Sequence, residues 1–306
     1  MSRTLPVLVN RQSSAIEGED DEAIVRRIED AMAGAGCEPN VSIVDGWDFD
    51  AAIRELGHEP VVVVAGGDGT VAMAAGAFVH SRTAVAILPL GMRNQLARQL
   101  EIPLDLEAAA RIACEGQRRR IDLGLAGTRV FVNSASFGIY ARYVRHRDDG
   151  KKRSWFASLG AIRHALSNMR EQRFALRIDG RSQTLRTPLL FIGNNQYSFE
   201  PWRLGKREDM IDGALSLYAI AAQRPASLLA FVAKAVIGIA TPSHDFKAFM
   251  MAEQVVIEGD GSIEGVFDGE IERMALPLTL RTMPAGLGVV TAREAVPTEK
   301  ALSRIH

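Results

Sequence analysis

Val61-Val-Val-Val-Ala65-Gly66-Gly67-Asp68-Gly69-Thr70 is the stretch on which the reading of the fold turns. Four valines and an alanine in a row lack the polar alternation of a half-exposed strand. They read as a strand covered on both faces, the usual state of a strand in a parallel sheet. Three glycines follow at once, and Thr70–Phe78 then has a helical pattern. Glycine lets backbone approach a ligand closely. A helix that starts straight after such a turn offers unpaired N–H groups and the positive end of its dipole, a ready anion site. Asp68 is placed to hold a magnesium-bound water and Thr70 to donate to a phosphate oxygen. A tight strand-to-helix turn capped by Asp is the purely structural reading of the same residues.

The segments on either side support this. Leu5–Asn10 reads as a strand. Glu19–Gly34 reads as a helix, with Ile24, Ile28 and Met32 spaced by four. Val41–Val44, Asp48–Leu56, Ala84–Leu88, Asn94–Leu100 and Asp105–Cys114 continue the alternation of strand and helix. That order predicts an open parallel sheet with helices on both faces. A second strand-to-Gly-turn-to-helix junction, Leu88-Pro-Leu-Gly91-Met-Arg-Asn94, would bring its loop beside the first, because parallel strands end on one edge of the sheet.

After about Gly124 the pattern changes, and most segments read as strands. They are Arg129–Ser134, Arg173–Ile178, Ser182–Arg186, Leu189–Gly193, Ala214–Ala221, Asp245–Met250, Gln254–Glu258, Ile263–Asp268, Leu276–Arg281 and Gly288–Thr291. Asp179-Gly180 is a hairpin turn by composition. Helices are expected at Ser154–Met169 and Pro225–Ile239. The predicted fold class is α/β plus β. An N-terminal open parallel-sheet nucleotide domain covers residues 1–125, an antiparallel β-sandwich substrate domain covers 126–291, and a polar tail covers 292–306.

Composition narrows the function classes. The chain has 306 residues, 47% hydrophobic, enough for sizeable cores. Its 36 Lys and Arg against 37 Asp and Glu give a net charge of −1, which excludes nucleic-acid binding by bulk charge. Two cysteines, Cys37 and Cys114, make neither a disulfide framework nor a structural zinc site. Met1–Asn10 has no export-signal pattern, and the longest apolar run, Ala226–Ala240, falls short of the roughly 20 residues of a membrane span. The expected location is the cytoplasm, with peripheral contact at a membrane. Arg145–Arg153, beside Trp155 and Phe156, is the segment suited to an anionic lipid surface, and a solvated loop is its bland reading.

Two acidic turns complete the set. In Phe267-Asp268-Gly269-Glu270, Asp and Glu two apart on an extended chain would share a face, and crowded carboxylates suit a general base. In Asp209-Met-Ile-Asp212-Gly213-Ala214, Asp212 could bind a cation with backbone carbonyls; a plain β-turn fits equally.

Taken in order, GGDGT, the PLG…N segment, Asp122-Leu-Gly124, Phe131-Val-Asn133-Ser-Ala-Ser-Phe-Gly138, the Asp212-Gly turn and the late DGE resemble the diacylglycerol kinase catalytic family. Bacterial lipid kinases and the sphingosine and ceramide kinases belong to it. The resemblance runs from Val7 to about Val290. It implies ATP as cofactor, held by Gly66, Gly67, Asp68, Gly69 and Thr70 with Asn10, Gly91 and Asn94 nearby. It implies Asp268 as general base assisted by Glu270. It also implies a Mg2+ site at Asp212 with carbonyls near Asp209 and Ala214. The expected partner is a lipid alcohol such as diacylglycerol or a sphingoid base; the oligomeric state is left open, a dimer included. The chain departs from the family pattern at several points: Ala72-Met73 follows the glycine motif, Met92 and Gln95 stand in the second loop, and Ile211 precedes Asp212. A soluble-metabolite kinase of the NAD-kinase type, which shares GGDGT, and a non-catalytic lipid- or nucleotide-binding relative are the rival readings.

Overall fold

Val61–Gly66 is buried along its whole length, as a strand flanked by strands and covered on both faces must be. The computed structural model that places it describes residues 3–138, 171–197, 210–220 and 246–293. The chain divides into two units. The first comprises residues up to Arg120 together with those from Gly288 onward, and the second Ile121–Leu287.

The first unit alternates β1 (Arg3–Asn10), α1 (Asp21–Gly34), β2 (Cys37–Val44), α2 (Phe49–Glu55), β3 (Val61–Gly66), α3 (Asp68–Ala77), β4 (Ala84–Pro89), α4 (Gln95–Gln99) and α5 (Leu106–Glu115). Its strands run parallel in the order β2-β1-β3-β4. The ends of the helices follow from local chemistry. Asp20 accepts the Ala23 N–H at 3.3 Å to start α1, and Asp105 accepts that of Ala108 at 2.9 Å to start α5. Gly36, at φ +81°, stands just past the end of α1.

The second unit is all strand among the described residues. In chain order it holds β5 (Gln117–Ala126, which begins in the first unit), β6 (Arg129–Phe131), β7 (Ser134–Gly138), β8 (Gln172–Ile178), β9 (Arg181–Thr187) and β10 (Leu189–Asn194). There follow β11 (Leu215–Ile220), β12 (Phe246–Ala252), β13 (Gln254–Glu258), β14 (Ser262–Phe267), β15 (Glu270–Ala275) and β16 (Leu278–Thr291). One antiparallel sheet runs β12-β11-β10-β7-β14-β15. Facing it, β9-β8-β13 continues onto the first half of β16, also antiparallel. Alternate residues of both sheets meet in one core, among them Phe174, Leu176 and Ile257 from one and Phe137, Ile192 and Phe267 from the other. This is the β-sandwich that the strand count predicted. The last residues of β16 lie in the first unit, where Gly288 and Val289 pair in parallel with Ala84 and Val85 of β4.

The structure departs from the sequence reading in five places. The single strand expected at Arg129–Ser134 is two, broken at Val132-Asn133. The segments Leu276–Arg281 and Gly288–Thr291 are parts of one 14-residue strand, β16. β5 is a strand although its first residues are a run of exposed arginines. β15 was not anticipated at all. Last, Phe267-Asp268-Gly269-Glu270 is not extended. Phe267 pairs with Glu270, and Asp268 (φ +50°) and Gly269 (φ +99°) form a two-residue hairpin turn, the same device as Asp179-Gly180 between β8 and β9. The expected helices Ser154–Met169 and Pro225–Ile239, the basic segment Arg145–Arg153 and Asp209 lie outside the described residues. No helix among the described residues is long and apolar enough to cross a membrane.

Phe267 anchors the hairpin that carries Asp268. It is fully buried, edge-on to Phe137 with centroids 5.9 Å apart, and tilted against Phe131 at 6.4 Å. Phe267→Ala is expected to lower the unfolding free energy by about 3–5 kcal/mol, read as a shift in the denaturant midpoint. A midpoint within error of the wild type would show that the hairpin is held elsewhere.

Candidate active site

The glycine loop is shaped by what its glycines face. A Cβ on Gly66 would collide with the Thr70 side chain, and a Cβ on Gly91 would collide with the Gly67 backbone. The two loops at the ends of β3 and β4 therefore touch backbone to backbone, also joined by the Leu90 N–H donating to the Gly66 carbonyl at 3.0 Å. α3 begins at Asp68 directly behind this contact, with Gly67 in extended conformation as its N-terminal flank. The first N–H groups of a helix have no partner within it, so the loop presents the anion-binding end that the sequence suggested. Thr70 is buried, and its hydroxyl accepts the Asn10 Nδ2–H at 3.0 Å, while Asn10 Oδ1 accepts the Gln12 N–H at 3.0 Å. Asn10 thus ties the end of β1 to the first turn of α3.

Two residues of the set do local work of a kind the sequence did not foretell. The Asp68 carboxylate reaches across to α4, where Oδ1 accepts the N–H of Gln95 at 2.6 Å and that of Leu96 at 3.4 Å. Asn94 precedes α4 but does not cap it with its side chain. It sits at φ +48° and clips its own loop shut, Oδ1 accepting from the Gly91 N–H at 2.9 Å and Nδ2 donating to the Gly91 carbonyl at 2.7 Å. Asp68 supplies the cap that Asn94 does not.

In the second unit Asp268 faces backbone. Its Oδ2 accepts the Val132 N–H at 2.7 Å, and its Oδ1 accepts those of Asn133 at 2.7 Å and Ser134 at 3.0 Å. Its own N–H donates to the Ser134 carbonyl at 3.0 Å. At the break between β6 and β7, three consecutive N–H groups turn to one carboxylate. Glu270 goes elsewhere, pairing at 2.7 Å with Arg129, which also lies 3.1 Å from Glu272. The expectation that Asp268 and Glu270 share a face is corrected by the hairpin turn between them.

The acidic turn before β11 is also closed by hydrogen bonds. Asp212 Oδ1 accepts from Asn195 Nδ2 at 2.6 Å and from the Ala214 N–H at 3.1 Å, and Oδ2 accepts the Gln196 N–H at 2.9 Å. The Ala214 carbonyl takes the Asn195 N–H at 2.9 Å. Three of about four carboxylate lone-pair sites are used in this way, and Asp209 lies outside the described residues. A residue quoted only as part of a motif proves central. Asp122, 1% exposed, accepts the Ala285 N–H on Oδ1 and both Asn195 Nδ2 and the Gly213 N–H on Oδ2, each at 2.8 Å. The signal for it was an Asp in a strand followed by Leu-Gly, a polar residue where the pattern asks for an apolar one.

Comparison with known proteins places this geometry in context. Residues 4–126 match the diacylglycerol kinase catalytic domain, and residues 133–291 match the YegS C-terminal NAD kinase beta sandwich-like domain. The chain is 29% identical over 184 residues to the Chromohalobacter salexigens protein named "Probable lipid kinase YegS-like", covering 58% of this chain and 59% of that one. It is 34% identical over 80 residues to a diacylglycerol kinase of Staphylococcus saprophyticus, 26% of each. The matched stretches thus span less than two thirds of these relatives. The crystal structure of a diacylglycerol kinase from Bacillus anthracis superposes with a TM-score of 0.69 at 17% identity, covering 96% of this chain and 98% of that one.

Two substitutions test the geometry apart from any chemistry. Gly91→Ala forces a methyl into the Gly67 backbone and is expected to cost about 1–3 kcal/mol of stability. Asp268→Asn places an amide NH2 against N–H donors on one side of the clamp, and the unmade bond is expected to cost about 1–3 kcal/mol. Thermal unfolding of both variants at wild-type midpoints would refute the contacts described.

Proposed function

Because the chain belongs to the family in which a diacylglycerol kinase catalytic domain precedes a YegS-type β-sandwich domain, we propose that it is an ATP-dependent lipid kinase that phosphorylates the hydroxyl of a lipid alcohol. The observation that carries this reading is the bare N-terminus of α3 behind Gly66 and Gly67, a backbone cradle for phosphate in the domain that the kinase family model matches. In this reading the N–H groups of the Gly66–Thr70 loop bind the β- and γ-phosphates of ATP. The Gly91–Asn94 clip holds the neighbouring loop against them. Mg2+ arriving with the triphosphate would neutralise charge as the phosphoryl group transfers.

Asp268 is the proposed base. A lipid hydroxyl attacks only when its proton has a destination, and a positioned carboxylate supplies one. The hydroxyl oxygen forms a bond to the γ-phosphorus, the bond from that phosphorus to the β–γ bridging oxygen breaks, ADP leaves, and the proton ends on Asp268. The clamp of Val132–Ser134 fixes which way the carboxylate faces, so rotation of the side chain is not lost anew at each turnover. Glu270 enters indirectly, by fixing Arg129 beside the hairpin. The proposed acceptor class is diacylglycerol or a sphingoid base, reached at the membrane surface.

The test is transfer of labelled γ-phosphate from ATP to a panel of lipid alcohols in mixed micelles, with NAD as the soluble competitor. Transfer to lipid and not to NAD is expected. Asp268→Asn is expected to lower turnover by about 10²–10⁴-fold while ATP affinity, measured calorimetrically on folded protein, stays within about twofold. Gly67→Val is expected to weaken ATP binding at least about tenfold. Transfer to NAD alone would move the chain to the metabolite kinases, and ATP binding without transfer to either would make it a binding protein.

A further inference from the structure

Trp47 is 73% exposed, the barest large hydrophobic side chain among the described residues. A tryptophan in that state leaves a broad apolar ring in water, where a flat partner would relieve it. Its backbone is not loose. It lies in a turn directly after β2, closed by the Asp48 N–H donating to the Asp45 carbonyl at 3.1 Å. Two residues on, Phe49 begins α2 and is fully buried. On the other side, Gly46 lies so close to the side-chain amide of Gln12 that a Cβ there would collide with it. A fixed frame therefore presents Trp47 to solvent.

The position of that frame joins it to the phosphate loop. β2, β1 and β3 are parallel neighbours, so the turns that follow them share one edge, the edge at which open α/β sheets take ligands. The contacts between these turns are continuous. The Asn10 side chain donates to Thr70 and accepts from the Gln12 N–H, and Gln12 in turn lies against Gly46. The Arg11 N–H also donates to the carbonyl of Val44, the last residue of β2, at 2.9 Å. The ends of β2 and β3 are two strand spacings apart, about 10 Å, a gap that the ribose and α-phosphate of a nucleotide can bridge. We propose that Trp47 is the stacking platform for the adenine base of the nucleotide whose phosphates the Gly66–Thr70 loop takes. This rests on the kinase reading and adds to it the residue that meets the base. The nearby charges favour a base over a lipid surface. Asp45 and Asp48, both exposed, flank Trp47, and Asp48 does not cap α2 with its side chain. Two such carboxylates repel an anionic headgroup, whereas the amino group of adenine is a hydrogen-bond donor.

The experiment titrates the whole protein calorimetrically with Mg2+-ATP and with Mg2+-tripolyphosphate, which offers phosphates without a base. The wild type is expected to bind ATP at least about tenfold more tightly, the order of effect that stacking one base on an aromatic side chain gives. Trp47→Ala is a surface change that leaves the fold intact, checked by its thermal midpoint. It is expected to lose about tenfold in ATP affinity and to bind tripolyphosphate within about twofold of the wild type. Trp47→Phe keeps a ring and is expected to recover most of the ATP affinity. A Trp47→Ala variant with unchanged ATP affinity, or with equal losses for both ligands, overturns the platform and leaves the kinase reading standing. So does a wild type that binds both ligands equally. A wild type that binds neither overturns both readings.

Discussion

A carboxylate that takes the hydrogens of backbone N–H groups from a distant part of the chain is the interaction on which both units rely. Backbone donors that belong to no helix or ladder must find an acceptor when buried. Asp68 supplies it to α4 from 27 residues away, Asp268 to Val132–Ser134 across more than 130, and Asp122 to Gly213 and Ala285 across 91 and 163. Each such bond is charge-assisted and stronger than an amide–amide one. Each also ties together segments far apart in the chain. The loops carrying the proposed chemistry are fixed in this way.

This economy has a side effect on how the site is understood. Asp68 and Asp268 look from their motifs like residues kept for phosphate and proton, and both also hold the scaffold. In the proposed mechanism structural and chemical roles would coincide in one carboxylate, because the bonds that would orient a base are those that tie down the segment beside it. Loss of activity on substitution is therefore informative only when read beside stability.

The α/β half was legible in the sequence to within a few residues. Its strands are continuous apolar runs such as Val61–Ala65, its helices carry side-chain caps at Asp20 and Asp105, and its connections are short. The sandwich was legible in kind and blurred in detail. The turn Asp179-Gly180 was recognised because alternating strands flank it. The equivalent Asp268-Gly269 is followed by Glu270-Ile-Glu-Arg273, whose charges hide the strand β15 and with it the turn. The break at Val132-Asn133 leaves no local mark, since its cause is a carboxylate 135 residues downstream. Asn195 and Asp122 became central only in three dimensions. One Asn side chain joins two carboxylates that sequence separation keeps 90 residues apart.

β16 begins in the sandwich and ends as the fifth strand of the parallel sheet, beside β4. On the ribosome this imposes an order. Residues up to Arg120 emerge first with four strands of the five, and β4 waits as an open edge with its N–H and C=O groups unpaired. The sheet is completed only after the whole second unit has been synthesised, when Gly288 and Val289 arrive. A translation product cut short anywhere before that point leaves β4 without the neighbour that Gly288 and Val289 provide.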